Sequence, residues 1–315
     1  MKLCISIACY RWAFQPSIRR DGPDYRAGGG PLAYLQSFSD PPPEDNRFFW
    51  MCDKTAELGL QGLYAHPGEY VDDRAGAEAM RRKVDDRGLI WNGGLTVNMA
   101  ATDEEWESFE YDNAVRQLEL NHWAGLNIAT MTHRLPNVHN HFSTDPPIDE
   151  QMARAAKHLP ALTPVAEELG VIMAWENHMD YRVSEVAGVV NEIDSPWLRI
   201  TLDTSNPFPS LEDPLEGARI AARNVVAVHF KDFRAQPLRE TWEPHFHYSP
   251  VGHGDSPIGE ILALLQAEAP DPDNLLANIE ISPPPQHDPE AWVLESKRWL
   301  LEEQGQYFEP HLTVQ

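Results

Sequence analysis

Cysteine is scarce in this 315-residue chain, with only Cys4, Cys9 and Cys52. An odd, low count without a CxxC pair excludes a disulfide framework. Cys4 and Cys9, in or beside an apolar first segment, read as plain buried thiols. Positive charge is also scarce: 25 Lys plus Arg stand against 49 Asp plus Glu, a net charge of −24. Such a surface repels polyanions, and phosphate binding needs a basic stripe, so a nucleic-acid partner is disfavoured. No acidic run is long enough to form a tail. No apolar stretch approaches the roughly 20 residues of a membrane span. The opening Met1–Ala8 segment is too short for a signal-peptide core and cleavage site, and it reads as a strand. The expected setting is therefore a reducing cytoplasm, with no membrane partner. Also missing is a GxGxxG run after a strand, the usual mark of an open dinucleotide-binding sheet.

Apolar residues make up 42% of the chain, enough for a sizeable core. Their spacing alternates between strand and helix. Strands are expected at 3–8, 60–64, 89–97, 126–132, 171–175, 197–202, 225–230 and 275–281. Helices are expected at 46–58, 76–87, 102–124, 149–169, 184–193, 215–223, 258–267 and 289–303. Gly59, Gly88, Gly125 and Gly170 stand where C-caps belong. Thr102 and Glu105 form a capping-box pair, and Ser184 is an expected N-cap. Pro160 and Pro164 must kink or split their helix. Eight β/α units in this length predict a closed (β/α)8 barrel, one domain over 1–315. Two long loops interrupt the rhythm. The segment 11–45 is rich in Gly and Pro and holds Trp12 and Phe14, candidates for an apolar wall against a ring. The segment 234–257 holds His245, His247 and His253. Both follow strands, so both are expected on the catalytic face.

Four apolar runs end on a polar residue: Glu176 after Val-Ile-Met-Ala-Trp, Asp203 after Leu-Arg-Ile-Thr-Leu, His229 after Val-Val-Ala-Val, and Glu280 after Leu-Leu-Ala-Asn-Ile. A lone charge at the end of a buried strand is expensive. Four in series call for a shared partner. Three carboxylates and an imidazole suit one divalent ion of the manganese, magnesium or zinc class.

The runs Trp-Glu-Asn-His, Leu-Asp-Thr-Ser-Asn, Val-His-Phe-Lys-Asp, Val-Gly-His-Gly-Asp and Ile-Glu-Ile resemble the sugar isomerase/epimerase superfamily of xylose isomerase-like barrels. That group includes ketose 3-epimerases, inosose dehydratases, C-glycoside deglycosidase catalytic subunits and endonuclease IV-type repair enzymes. The resemblance implies one divalent metal, Mn²⁺ above Mg²⁺, Co²⁺ or Zn²⁺, held by Glu176, Asp203, His229 and Glu280. It also implies that Glu176 and Glu280 act as acid and base. The chain departs from the pattern in three ways. It lacks the two-metal Lys-x-Asp cluster of xylose isomerases proper. It lacks the additional histidines of the repair enzymes. Asn206 stands where many relatives place a histidine.

The resulting expectation is an isomerase or epimerase of a small polyhydroxylated carbonyl compound, working by proton abstraction beside the carbonyl through a metal-bound enediolate. The alternative is a lyase that loses a β-substituent. His133 is a candidate base or substrate contact. His178, Asn206, Lys231, His245 and His247 are candidate substrate contacts, and Asn177 a candidate support for a ligand. Lys231 and Asp232 are expected to pair with each other. A homo-oligomer or a heteromeric complex with a partner subunit remains open, as does a non-catalytic binding protein.

Overall fold

The computed structural model describes residues 1–10, 47–237, 244–284 and 287–309. Trp12, Phe14 and the expected 11–45 loop lie outside the described residues. Eight parallel strands close a barrel. They are β1 (Lys2–Ser6), β2 (Gly62–Tyr64), β3 (Ile90–Val97), β4 (Ile128–His133), β5 (Ile172–Glu176), β6 (Leu198–Asp203), β7 (Val225–Phe230) and β10 (Leu276–Ile279). β1 pairs with β10 and β2, β10 pairs with β7, and each remaining strand pairs with its sequence neighbour. Between β7 and β10 the chain makes an antiparallel hairpin, β8 (Phe233–Pro237) and β9 (Pro244–Tyr248). This hairpin was not expected, although Phe233–Pro237 and Pro244–Tyr248 each alternate apolar and polar residues.

Helices cover the barrel: α1 (Arg47–Glu57), α2 (Arg74–Asp85), α3 (Asp103–Glu105), α4 (Tyr111–Trp123), α5 (Ile148–His158), α6 (Thr163–Leu169), α7 (Val183–Ile193), α8 (Pro214–Ala221), α9 (Ile258–Glu268) and α10 (Pro289–Glu303). Gly59, Gly88, Gly125 and Gly170 take φ between 62° and 67°, the left-handed turn that ends a helix without a Cβ clash. The long helix expected over 149–169 is split. A 3-10 turn, Leu159–Ala161, separates α5 from α6, because Pro160 has no N–H to continue the ladder. The helix expected from Thr102 to Ala124 also changes pitch, through a π-helical turn at Trp106–Glu110. Thr102 makes its capping box with Glu105.

Ser184 does not cap α7. Arg182 holds the cap position, and its N–H donates to Glu185. The carboxylate of Glu212, from the loop after β6, takes the Val183 and Ser184 N–H groups at 2.7 and 3.1 Å. A distant acidic residue thus does the work expected of a local serine. The core is one continuous cluster of aliphatic and aromatic side chains between sheet and helices, with Trp175, Tyr10, Tyr181, Phe48 and Phe230 the largest buried members. That packing fixes the strand ends, and these carry the site.

Candidate active site

Four strands each deliver one side chain at the C-terminal mouth. Glu176 closes β5, Asp203 closes β6, His229 sits one residue before the end of β7, and Glu280 follows β10. Register aligns them: Asp203 lies opposite His229, and the Glu280 N–H donates to the Phe230 carbonyl at 3.0 Å. One potential ligand atom from each residue lies within 4.8 Å of the other three, and all four residues are buried. His229 Nδ1 is 3.0 Å from Glu280 Oε2 and 3.3 Å from Glu176 Oε1. Even so, both ring nitrogens of His229 and Glu176 Oε1 make no well-directed hydrogen bond among the described residues. Buried polar atoms are normally satisfied. Atoms that crowd one point without bonding each other fit a shared cation, and the donor set suits a divalent one.

Supporting contacts orient the cluster. Asp203 Oδ1 accepts the Ser205 and Asn206 N–H groups, each at 2.9 Å, which turns Oδ2 toward the other three residues. The Asn177 amide grips the Asp203 backbone twice, accepting its N–H at 2.8 Å and donating to its carbonyl at 3.1 Å. Ser6, at the end of β1, donates to Glu280 Oε1 at 2.9 Å. Lys231 Nζ approaches Asp203 Oδ2 at 2.8 Å and Glu280 Oε2 at 3.0 Å. Its carbonyl is pinned by the Thr204 and Ser205 hydroxyls at 2.6 and 2.7 Å.

Burial opposes the charge on each of these groups. For Glu176 and Glu280, His229 and Lys231 outweigh burial and hold both carboxyls below their ordinary value. For Asp203, burial wins over the attraction of Lys231, and its pKa rises. His229 is pushed up to about 10, because Glu280 and Glu176 outweigh the cost of its burial. Lys231 rises for the same reason, chiefly through Asp203 once burial is overcome.

The cluster opens on a cavity of about 590 Å³ whose wall includes Glu176, Glu280, Lys231, His133 and His178. His133 Nδ1 accepts the Met99 N–H at 3.0 Å, which leaves the proton on Nε2, and burial lowers its pKa to about 4. His133 is thus a neutral donor rather than a base at Nδ1. His178 stands with Nδ1 3.4 Å from Asp180. Burial opposes its charge, but Asp180 outweighs this and raises its pKa. Asn206 is fully buried and absent from the cavity wall; its backbone, not its side chain, serves Asp203. His245 and His247 lie on β9 with ring centroids 4.4 Å apart, and of that strand Tyr248 reaches the cavity.

The expected Lys231–Asp232 pair does not form. Lys231 turns into the cluster, while Asp232 accepts the backbone N–H groups of Gly252, Gly254 and Ser256 at 2.9, 2.8 and 3.2 Å. A Cβ at residue 254 would lie 2.1 Å from Asp232 Oδ1, so this loop closes over the carboxylate only with glycine there. Sequence reasoning missed Ser6, Tyr64, His66 and Tyr248, all on the cavity wall. The strand-end criterion that found Glu176 would have found Tyr64, the polar end of β2.

Fold and site together define a barrel enzyme scaffold with a buried cluster suited to a divalent metal. The chain belongs to the xylose isomerase-like TIM barrel family, whose match spans residues 52–303. Among solved structures, the zinc-binding IOLI protein is similar with a TM-score of 0.67 and 15% identity, over 98% of this chain and 100% of that one. D-psicose 3-epimerase of Clostridium cellulolyticum H10, solved with D-tagatose, gives 0.65 and 12% over 98% and 100%. A curated relative, 3-oxo-isoapionate decarboxylase of Pectobacterium atrosepticum, is 36% identical over 84 residues. That match covers 27% of this chain and 30% of the relative's length. No helix among the described residues is long and apolar enough to cross a membrane.

Proposed function

We propose that the protein is a divalent-metal-dependent isomerase or epimerase of a small polyhydroxylated carbonyl compound. The observation that carries this reading is the pair of carboxylates, Glu176 and Glu280, buried on the wall of one cavity with Lys231 between them. Glu176, Asp203, His229 and Glu280 would hold the ion, which when bound polarises the substrate carbonyl as a Lewis acid. One glutamate removes the proton from the carbon beside the carbonyl, and the C–H electron pair moves toward the carbonyl oxygen. That glutamate, now protonated, can hand the proton to the neighbouring carbon, and return from the opposite face falls to the other glutamate once it has taken a proton from solvent. Both carboxyls are held below their ordinary value, so both are available as bases at neutral pH. Lys231 balances their charge and can donate to a developing oxyanion. His133, neutral and on the cavity wall, has Nε2 3.5 Å from the Tyr181 hydroxyl.

A lyase is the second reading. Lys231 is favourably placed to meet a carboxylate or an alkoxide leaving group, and the partial relative is by its name a decarboxylase. Loss of CO₂ from a 3-oxo acid breaks a C–C bond and leaves its electron pair on the same enolate framework, so the two readings share one site.

Proton NMR in D₂O with Mn²⁺ on a panel of ketoses, inososes, 3-keto-glucosides and 3-oxo sugar acids separates them. Deuterium beside the carbonyl together with an epimer or isomer supports the first reading. A released group, CO₂ or an unsaturated product supports the second. Absence of both exchange and cleavage across the panel, with metal bound, overturns both.

A further inference from the structure

β2 ends on Tyr64, and His66 follows two residues later; both side chains line the cavity. Tyr64 Oη and His66 Nε2 are 2.6 Å apart, the shortest contact between two cavity-wall side chains described above. The Tyr64 ring rests on the His229 ring, with centroids 4.6 Å apart at 46°. The phenol is therefore braced against a member of the four-residue cluster. His66 in turn occupies the space that a side chain on Gly94 of β3 would need. A Cβ at 94 would lie 2.3 Å from His66 Cδ2 and 2.4 Å from Nε2. Glycine within a strand commonly marks close approach of another group, and here that group is an imidazole. Burial keeps the His66 pKa below its ordinary value, so the ring is neutral and one of its nitrogens is an acceptor.

We propose that Tyr64 is a specificity-determining residue: with its O–H donated to His66 Nε2, Oη offers its lone pairs to a hydroxyl of a polyhydroxylated substrate lying against the Glu176–Asp203–His229–Glu280 cluster. The proposal rests on the reading of the substrate given above. It deepens that reading by naming a group that counts hydroxyls on the substrate. A site that bonds a substrate hydroxyl discriminates against an analogue lacking it, because the hydrogen bond made by the preferred substrate is then lost. His66 is a positioning residue that acts through Tyr64, and Gly94 makes room for it.

The test is calorimetric binding of xylitol, ribitol and myo-inositol to the manganese-loaded protein and to the metal-free protein. The variants are Tyr64→Phe, His66→Leu and His66→Gln. Tyr64→Phe is expected to weaken the best-bound polyol about 10- to 100-fold with Mn²⁺ affinity unchanged. His66→Leu is expected to reproduce that loss without adding to it in the double variant. His66→Gln, whose amide oxygen can still accept from Tyr64, is expected to recover most of it. Unchanged polyol affinity in Tyr64→Phe, additive losses in the double variant, or no polyol binding by the wild-type chain would each overturn the proposal. The Mn²⁺ titration reports separately on the metal reading. If no metal binds, the polyol comparison in the metal-free protein still decides the role of Tyr64. A variant that loses cooperative unfolding is replaced by ¹⁵N NMR of wild-type His66, where an unprotonated Nδ1 would contradict the assigned bond.

Discussion

At the scale of single residues, the site is a problem in charge. Three buried carboxylates, an imidazole and an ammonium share one small volume, and no member is stable there alone. Asn177 touches none of the four atoms directed at the centre, yet it fixes the Asp203 backbone from both sides. Asn177→Ala is expected to lower metal affinity about 10- to 100-fold, as outer contacts of metal ligands commonly do, measured by calorimetric Mn²⁺ titration. An unaltered titration would reduce Asn177 to packing. Glu176→Gln and Glu280→Gln are each expected to abolish solvent-deuterium incorporation into substrate, and full exchange in either would remove it from the acid–base pair. His133 adds a pH signature. Its folded pKa of about 4 lies below the unfolded value near 6.5, so the unfolded chain binds the extra proton. Its contribution to stability is full above about pH 6.5 and is lost as pH falls toward 4. Asp180, His139 and His178 are the titratable neighbours that act on it. Denaturant midpoints of wild type and His133→Asn are therefore expected to converge as pH falls through that window.

At the scale of elements, carboxylates pin loops in addition to apolar contacts such as that of Val251 in the core. Asp232 joins the end of β7 to the 250–256 turn through three backbone N–H groups. Asp232→Ala leaves these donors unpaired, at about 1–3 kcal/mol for each that stays buried. The expected result is a lower melting temperature and faster hydrogen exchange at Gly252, Gly254 and Ser256, with exchange in β3 and β4 unchanged. Glu212 has the same part at the start of α7, and removing it exposes two helix donors at once. The helices themselves were legible in the sequence, since Gly59, Gly88, Gly125 and Gly170 ended them as expected. The α7 cap was not, because its acceptor lies 28 and 29 residues away in the chain.

At the scale of the whole molecule, a metal held by the four-residue cluster would link binding to folding. The four carriers come from strands spread over residues 176–280, so an ion that joins them binds only the folded barrel. Added Mn²⁺ at about 100 times its Kd is expected to raise stability by about 2.7 kcal/mol, read as a rise in melting temperature that a chelator reverses. A net charge of −24 is expected to prevent binding to an abasic DNA duplex even at low salt. By itself the sequence determined the barrel, because strand and helix periods are local and repeat eight times. It also determined Glu176, Asp203, His229 and Glu280, because a charge at the end of an apolar run must be explained wherever it lies. Only the tertiary structure decided that Lys231 turns into that cluster while Asp232 turns away to a loop, and that Asn206 serves through its backbone. It alone brought Tyr64, His66 and Gly94 together from two strands. Such choices depend on which groups meet across the barrel, and contact between segments distant in the chain leaves no period in the sequence.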